Sequence, residues 1–233
     1  MHWRISLLVF CLITLFVRLG FWQLDRAHEK QMLLEEYRHF LGKTPVDWVP
    51  GQNFPKGYEP ITVHGRFMQN ILLLDNQHHQ HRFGYHVLSP LVLADGQIIL
   101  VDRGWIAGDM SRRVFPKIET PLANLTVSGN AYYPSKKGVV LGELFEKKSN
   151  QMMLIEAIDI EKISHVLHKS VYPFIIRLNK KASFGFVRDW SIVAMPPQRH
   201  YGYALQWFSF AIVMSIIFAV FGIKRLFRMQ RVE

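Results

Sequence analysis

Two runs of apolar residues stand near the ends of the chain, and between them apolar and polar positions mostly alternate. Residues 201–223, "YGYALQWFSFAIVMSIIFAVFGI", contain no Asp, Glu, Lys, Arg or His. At 1.5 Å per residue such a helix covers about 34 Å, enough to cross a hydrocarbon core roughly 30 Å thick. This pattern predicts a transmembrane helix. Residues 5–24, "ISLLVFCLITLFVRLGFWQL", predict a second one, interrupted by Arg18. A secretory signal peptide is the rival reading of that run. It lacks a small-residue cleavage site, however, and passes directly into "DRAHEK".

The interior, residues 25–200, reads as one β-rich domain. "PITVHGRFM", "NILLLD", "YHVLSPLVL", "QIILVDRGWIA", "NLTVSGNAYY" and "VYPFIIRLN" carry the alternation and β-branched residues of strands. "LVLADGQIIL" predicts a hairpin, because Asp95-Gly96 tolerates the positive φ of a tight turn. A short helix is expected near "IDIEKISHVLHK", with Asp159 as N-cap and Ile160, Ile163, Val166 and Leu167 on one face. Another continues outward from the first span through "DRAHEKQMLLEEYRHFL" until Gly42 and Pro45 break it. The expected architecture is an α+β membrane protein in which two transmembrane helices, 5–24 and 201–223, flank a barrel-like or sandwich-like domain at 25–200. A basic tail, 224–233, follows.

Charge supplies the orientation. Lys224, Arg225, Arg228 and Arg231 follow the second span directly, which predicts cytoplasmic termini and a central domain on the opposite face, the periplasm of a bacterium. The formal charge of +10 invites a nucleic-acid reading, but residues 25–200 hold 22 basic against 17 acidic side chains and no basic helix interleaved with aromatics. No nucleic-acid partner is expected. The single cysteine, Cys11, lies within the first span, which excludes thiol-pair chemistry.

No Gly-x-Ser-x-Gly, His-Glu-x-x-His, Walker or Gly-x-Gly-x-x-Gly pattern occurs, so no catalytic residue is assigned and an enzyme is not expected. "NQHHQHRFGYH" offers His78, His79, His81 and His86 as metal ligands or as a solvated loop. Arg18 either snorkels to headgroups or meets an anionic partner. At the mouth of the second span His200, Tyr203, Ala204 and Trp207 share one helical face by spacing, and Trp22 and Arg18 lie near the corresponding level of the first. An imidazole among flat aromatics with a cation nearby suits an iron porphyrin whose carboxylates want a cation. A histidine simply marking the interface suits the same pattern.

"RLGFWQLDRAHEK" from Arg18, "VDRGWIAGD" from Val101 and "RHYGYALQWFSFA" from Arg199, with "FGYHVLSPL" from Phe83, together resemble the Surfeit locus protein 1 family of cytochrome c oxidase assembly factors. The absence of an Arg- and Ser-rich presequence points to a bacterial, inner-membrane member. The resemblance implies a role in maturing the haem a-containing catalytic subunit by binding or delivering haem a; a haem-free scaffold is the alternative. Its partners would be oxidase subunit I, the haem a synthase and the lipid bilayer. It also implies that His200 ligates haem iron, with Arg18, Trp22, Tyr203 and Trp207 around the cofactor. Gln23, Arg26, Arg103, Gly104, Trp105 and Gln206 complete the family motifs as partner or structural residues. Histidines 78–81 are not part of that pattern.

Overall fold

The computed structural model describes residues 2–134, 145–149 and 151–230, and the side chains of 3–224 within them; Arg231 and the end of the basic tail lie outside the described residues. Helix α1 (His2–Phe40) is followed by β1 (Val46–Asp47), β2 (Pro60–Phe67), β3 (Ile71–His79), β4 (Arg82–Val92) and β5 (Ile98–Ala107). Then come β6 (Asn124–Tyr132), β7 (Phe145–Lys147), β8 (Met152–Ile155), α2 (Ile160–Leu167), β9 (Val171–Leu178) and α3 (Pro197–Gln230). The chain divides into two compact units, one made of residues up to 36 and from 191 onward, the other of residues 37–190.

Both long helices are long and apolar enough to cross a membrane, over Trp3–Phe40 and Pro197–Lys224. At 1.5 Å per residue α1 extends about 58 Å, well beyond the hydrocarbon thickness. It therefore carries the first apolar run into a more polar stretch without a break. It ends where Gly42 turns to a φ of 79°, a left-handed conformation that suits a residue without Cβ.

In the second unit five strands close a ring. β2 pairs with β6, β6 with β9, β9 with β5 and β5 with β4. β4 returns to β2 through Arg66↔Val92 and Phe67↔Leu91. The domain is thus a small barrel rather than a sandwich. β3 pairs with the earlier part of β4, and β8 and β7 extend the sheet beyond it. The barrel interior holds Ile61, Val63, Phe67, Leu91, Val101 and Phe174, with Trp48 closing over them. Against the outside, α2 lays Ile163 and Leu167 on Leu72, Leu88 and Leu100. Strand β5 is buried on both faces from Ile98 to Trp105, so its sequence loses the polar alternation of a one-sided strand.

Asp159 caps α2 by accepting from the Lys162 N–H at 3.1 Å, and His168 ends the helix in the left-handed region at φ 52°. Val166 departs from the expected face: it is 36% exposed while Ile163 and Leu167 are buried, since 163 and 167 lie one turn apart and 166 about 100° off that line. The hairpin tip at Gly96, φ 80°, is tied to the barrel end through Asp95. Its carboxylate accepts from the Gln97 N–H at 3.1 Å and the Tyr172 hydroxyl at 2.7 Å. Burial and this bond push the Tyr172 phenol up to about 12. Partial desolvation works to raise Asp95, but the hydrogen bonds from Tyr172 and Gln97 outweigh it and hold the carboxyl below its usual range.

Ring closure rests on two register pairs, and Phe67, 3% exposed, fills the interior behind them. Phe67→Ala should lower stability by about 3–5 kcal/mol through the transfer loss and the cavity. Thermal or denaturant unfolding of the full-length protein in detergent measures this, and a variant that unfolds with wild type would show that the seam does not need the ring.

Candidate functional site

The apolar runs meet in the first unit along a line of three- and four-residue spacings. On α3, His200, Ala204 and Ala211 are buried and Trp207 is half-buried; on α1, Gly20 and Ala27 are buried and Gln23 half-buried. Such spacing keeps one stripe of each helix facing the other. Gly20 leaves room for the Phe208 ring, since a Cβ there would stand 2.6 Å from it. Phe21 meets the same ring edge-on at 5.3 Å. Phe16 stacks on Trp207 at 5.8 Å with 27° between planes and also contacts Phe210.

Within this apolar seam stands one polar pair: His200 Nδ1 lies 2.7 Å from Gln23 Oε1. His200 is 8% exposed, and its second ring nitrogen, Nε2, is buried without a hydrogen-bond partner among the described residues. Tyr201, one residue on, donates from its hydroxyl to Gln31 Oε1 at 3.2 Å. Thus Gln23 meets His200, and Phe16 meets Trp207 about two turns away along the same seam. Tyr203 and Trp22 do not join them, being 45% and 52% exposed on the outer faces. Gln206 is exposed as well, and Arg26 pairs with Glu29 three residues along its own helix. Arg18 is exposed and makes no hydrogen bond or ion pair among the described residues.

The central motif builds a different structure. Register on β4 and β5 jumps from Leu88↔Asp102 to His86↔Trp105, so Arg103 and Gly104 together oppose Val87 in a β-bulge. Gly104 takes φ 109°, and a Cβ there would stand 2.5 Å from the Val187 carbonyl; both demand glycine. Asp102, 3% exposed, accepts from His86 Nδ1 at 2.9 Å and from the Gly104 N–H at 3.0 Å. Arg103, 2% exposed, donates from Nε to the Phe184 carbonyl at 2.9 Å and from Nη2 to the Glu119 carbonyl at 2.8 Å. Its guanidinium also lies 5.1 Å from the Phe186 ring centre and 5.9 Å from that of Phe67. No carboxylate pairs with it among the described residues, and burial pushes it down to about 10, leaving it charged at neutral pH. Trp105 donates from Nε1 to the Gln77 carbonyl and pairs through its backbone with Val187.

The neighbours were not legible in the motif. His86 and Arg177 flank Trp190, with ring centres 5.5 Å apart for His86 and the Arg177 guanidinium 5.4 Å away, yet Trp190 lies far from the motif in sequence. Only the charged pair Asp102-Arg103 within an otherwise apolar strand signalled that buried partners must exist. The histidine cluster disperses: His79 ends β3, and Gln80 and His81 both adopt left-handed φ in the turn. No group of three His, Cys, Asp or Glu side chains able to hold a metal occurs among the described residues.

Arg103 and Trp105 are buried within the domain, at 2% and 6% exposure. Arg103→Ala strands the Phe184 and Glu119 carbonyls and opens a cavity, for an expected loss of about 2–5 kcal/mol. A melting temperature within a degree or two of wild type, combined with lost function, would instead return these residues to partner binding.

The SURF1 family model matches residues 10–212. The chain is similar to a SURF1-like protein of Rickettsia conorii, 24% identical over 226 residues that cover 94% of this chain and 91% of the relative. The SURF1-like protein of Rickettsia felis is 24% identical over 225 residues, covering 94% and 96%. One from Dictyostelium discoideum is 30% identical over 102 residues, 38% of this chain and 37% of its own length. With two membrane-length helices around a β-barrel and a family match over most of its length, the chain belongs to the SURF1 family.

Proposed function

We propose that this protein serves cytochrome c oxidase assembly, the role for which its family is known, by holding haem a for the maturing catalytic subunit. The observation that carries the reading is the buried, partnerless Nε2 of His200 at the head of α3. Neutral imidazole is a common axial ligand of haem iron, and a buried ring nitrogen without a partner among the described residues fits such a group. His200 would hold the iron, Trp207 and Phe16 would supply flat apolar surface, and Arg18 would offer a cation to the carboxylates. Tyr203 and Trp22, on the outer faces, would enlarge the aromatic surface facing lipid. The haem, as cargo, brings its own redox chemistry; the chain binds, orients and shields it, and no catalytic step is assigned. Oxidase subunit I and the haem a synthase are the partners this role requires.

A scaffold that binds those partners without haem is the second reading, favoured by the enclosure of Nε2, which requires the helix seam to open before iron can reach it. The membrane is proposed to be the bacterial inner membrane, with the basic flank beginning at Lys224 in the cytoplasm and residues 25–200 in the periplasm. Reporter fusions after Asp109 and Tyr133 are expected to behave as periplasmic and one after Arg231 as cytoplasmic. The reverse pattern would overturn the topology.

Haem content tests the main reading. Purified from cells that make haem a, wild type should carry it, and His200→Ala should lose most of it at matched protein level, because a lost axial ligand leaves coordination open. Arg18→Ala should lose less, since water or another cation replaces a charge-assisted contact. Unchanged haem in His200→Ala would favour the scaffold.

A further inference from the structure

Gln23 does not touch the position a metal would occupy, yet it decides what His200 can offer there. A neutral imidazole carries one N–H and one lone pair, and the partner of one nitrogen fixes the character of the other. The amide oxygen Oε1 of Gln23 lies 2.7 Å from Nδ1, and an oxygen can only accept. The proton then sits on Nδ1, and Nε2, buried and without a partner, carries the lone pair. We infer that Gln23 is a positioning residue that locks His200 as the Nδ1–H tautomer and so keeps Nε2 free for a metal.

Three observations support the assignment beyond the distance. With the amide turned about so that its NH2 met Nδ1, the ring proton would move to Nε2 and stand as a buried donor without an acceptor, which native structures avoid more strictly than a buried lone pair. The surroundings also hold the pair in place: Ala27 and Ala204 are buried beside it, Phe208 sits over Gly20, and Phe16 stacks on Trp207 about two turns further along. Finally, Gln23 and His200 lie 177 positions apart on different helices, so the bond exists only when α1 and α3 are in register. Ring orientation and helix register are thereby coupled, as a hydrogen-bond acceptor behind a ligating histidine requires.

The inference rests on the proposed role of His200 in haem binding, but its first test needs no haem. In the full-length protein in detergent, labelled with 15N-histidine, His200 is identified among the eleven histidines by loss of its signals in His200→Ala. Long-range 1H–15N correlation then reads which ring nitrogen is protonated. Wild type and Gln23→Glu, which keeps an acceptor oxygen, should both show the Nδ1–H form. Gln23→Met, similar in volume but without an acceptor, should lose it. Titration with extracted haem a should follow the same order, with Gln23→Met weakened about tenfold or more and Gln23→Glu close to wild type. Melting temperatures separate this order from a general loss of packing, because methionine suits an apolar seam at least as well as glutamate. A wild-type protein with the proton on Nε2, or a Gln23→Met variant that keeps the Nδ1–H form, would overturn the inference. Absence of haem from wild type despite the expected tautomer would count against the haem reading instead and leave the role of Gln23 in place.

Discussion

Asp102 and Arg103, adjacent and oppositely charged, are buried in the strand that is itself buried on both faces. The pleat sends neighbouring side chains to opposite faces, so the two cannot satisfy each other. Asp102 follows Ile98 and Leu100 onto the face that α2 covers, while Arg103 follows Ile99 and Val101 toward the barrel interior. An unpaired buried charge costs several kcal/mol, so each must gather partners from elsewhere in the chain. Asp102 takes His86 from β4 and the backbone of its own bulge. Arg103 takes the carbonyls of Glu119 and Phe184, from two segments without regular structure. The loop after β5 and the segment after β9 are thus fixed by one guanidinium.

Barrel closure depends on the same neighbourhood. One edge of β4 serves two strands in turn, β3 along its earlier part and β2 at Leu91 and Val92. A straight strand could not leave one partner for another on the same edge; the bulge opposite Val87 supplies local bending and twist. Ser89, between the two pairings, lies within reach of the Arg103 guanidinium at 3.4 Å, and the Phe67 ring that fills the seam lies against the same group. Charge burial, strand bending and ring closure are one constraint seen from three sides.

The six longer strands, the Asp95-Gly96 hairpin, the capped α2 and the two long helices were legible in the sequence, because each is written in local periodicity and turn chemistry. β1, β7 and β8 were not: two to four residues carry no period, and tertiary pairing alone makes them strands. Closure into a barrel was equally hidden, since Arg66↔Val92 and Phe67↔Leu91 are contacts across the chain rather than patterns along it. At the candidate site, helical spacing gave His200, Ala204 and Trp207 their common face. The same spacing put Tyr203 there too, although it lies at the margin and turns outward. The partner of His200 could not be read, because register between α1 and α3 depends on side chains 177 positions apart.

That register has few determinants. In lipid, apolar helix faces gain little by choosing one another over acyl chains, so small residues and polar pairs carry the specificity. Sliding α3 along α1 by one heptad would still match apolar to apolar over most of the seam. It would not preserve the Phe208 ring over Gly20, where a Cβ would stand 2.6 Å from it, nor would it leave an acceptor opposite His200 Nδ1. The steric fit and the polar bond lie within one turn of each other on α1 and enforce the same alignment. An apolar pair in place of Gln23 and His200 would pack as well and specify less, so a buried nitrogen without a partner is tolerated where the helices must meet in one way only.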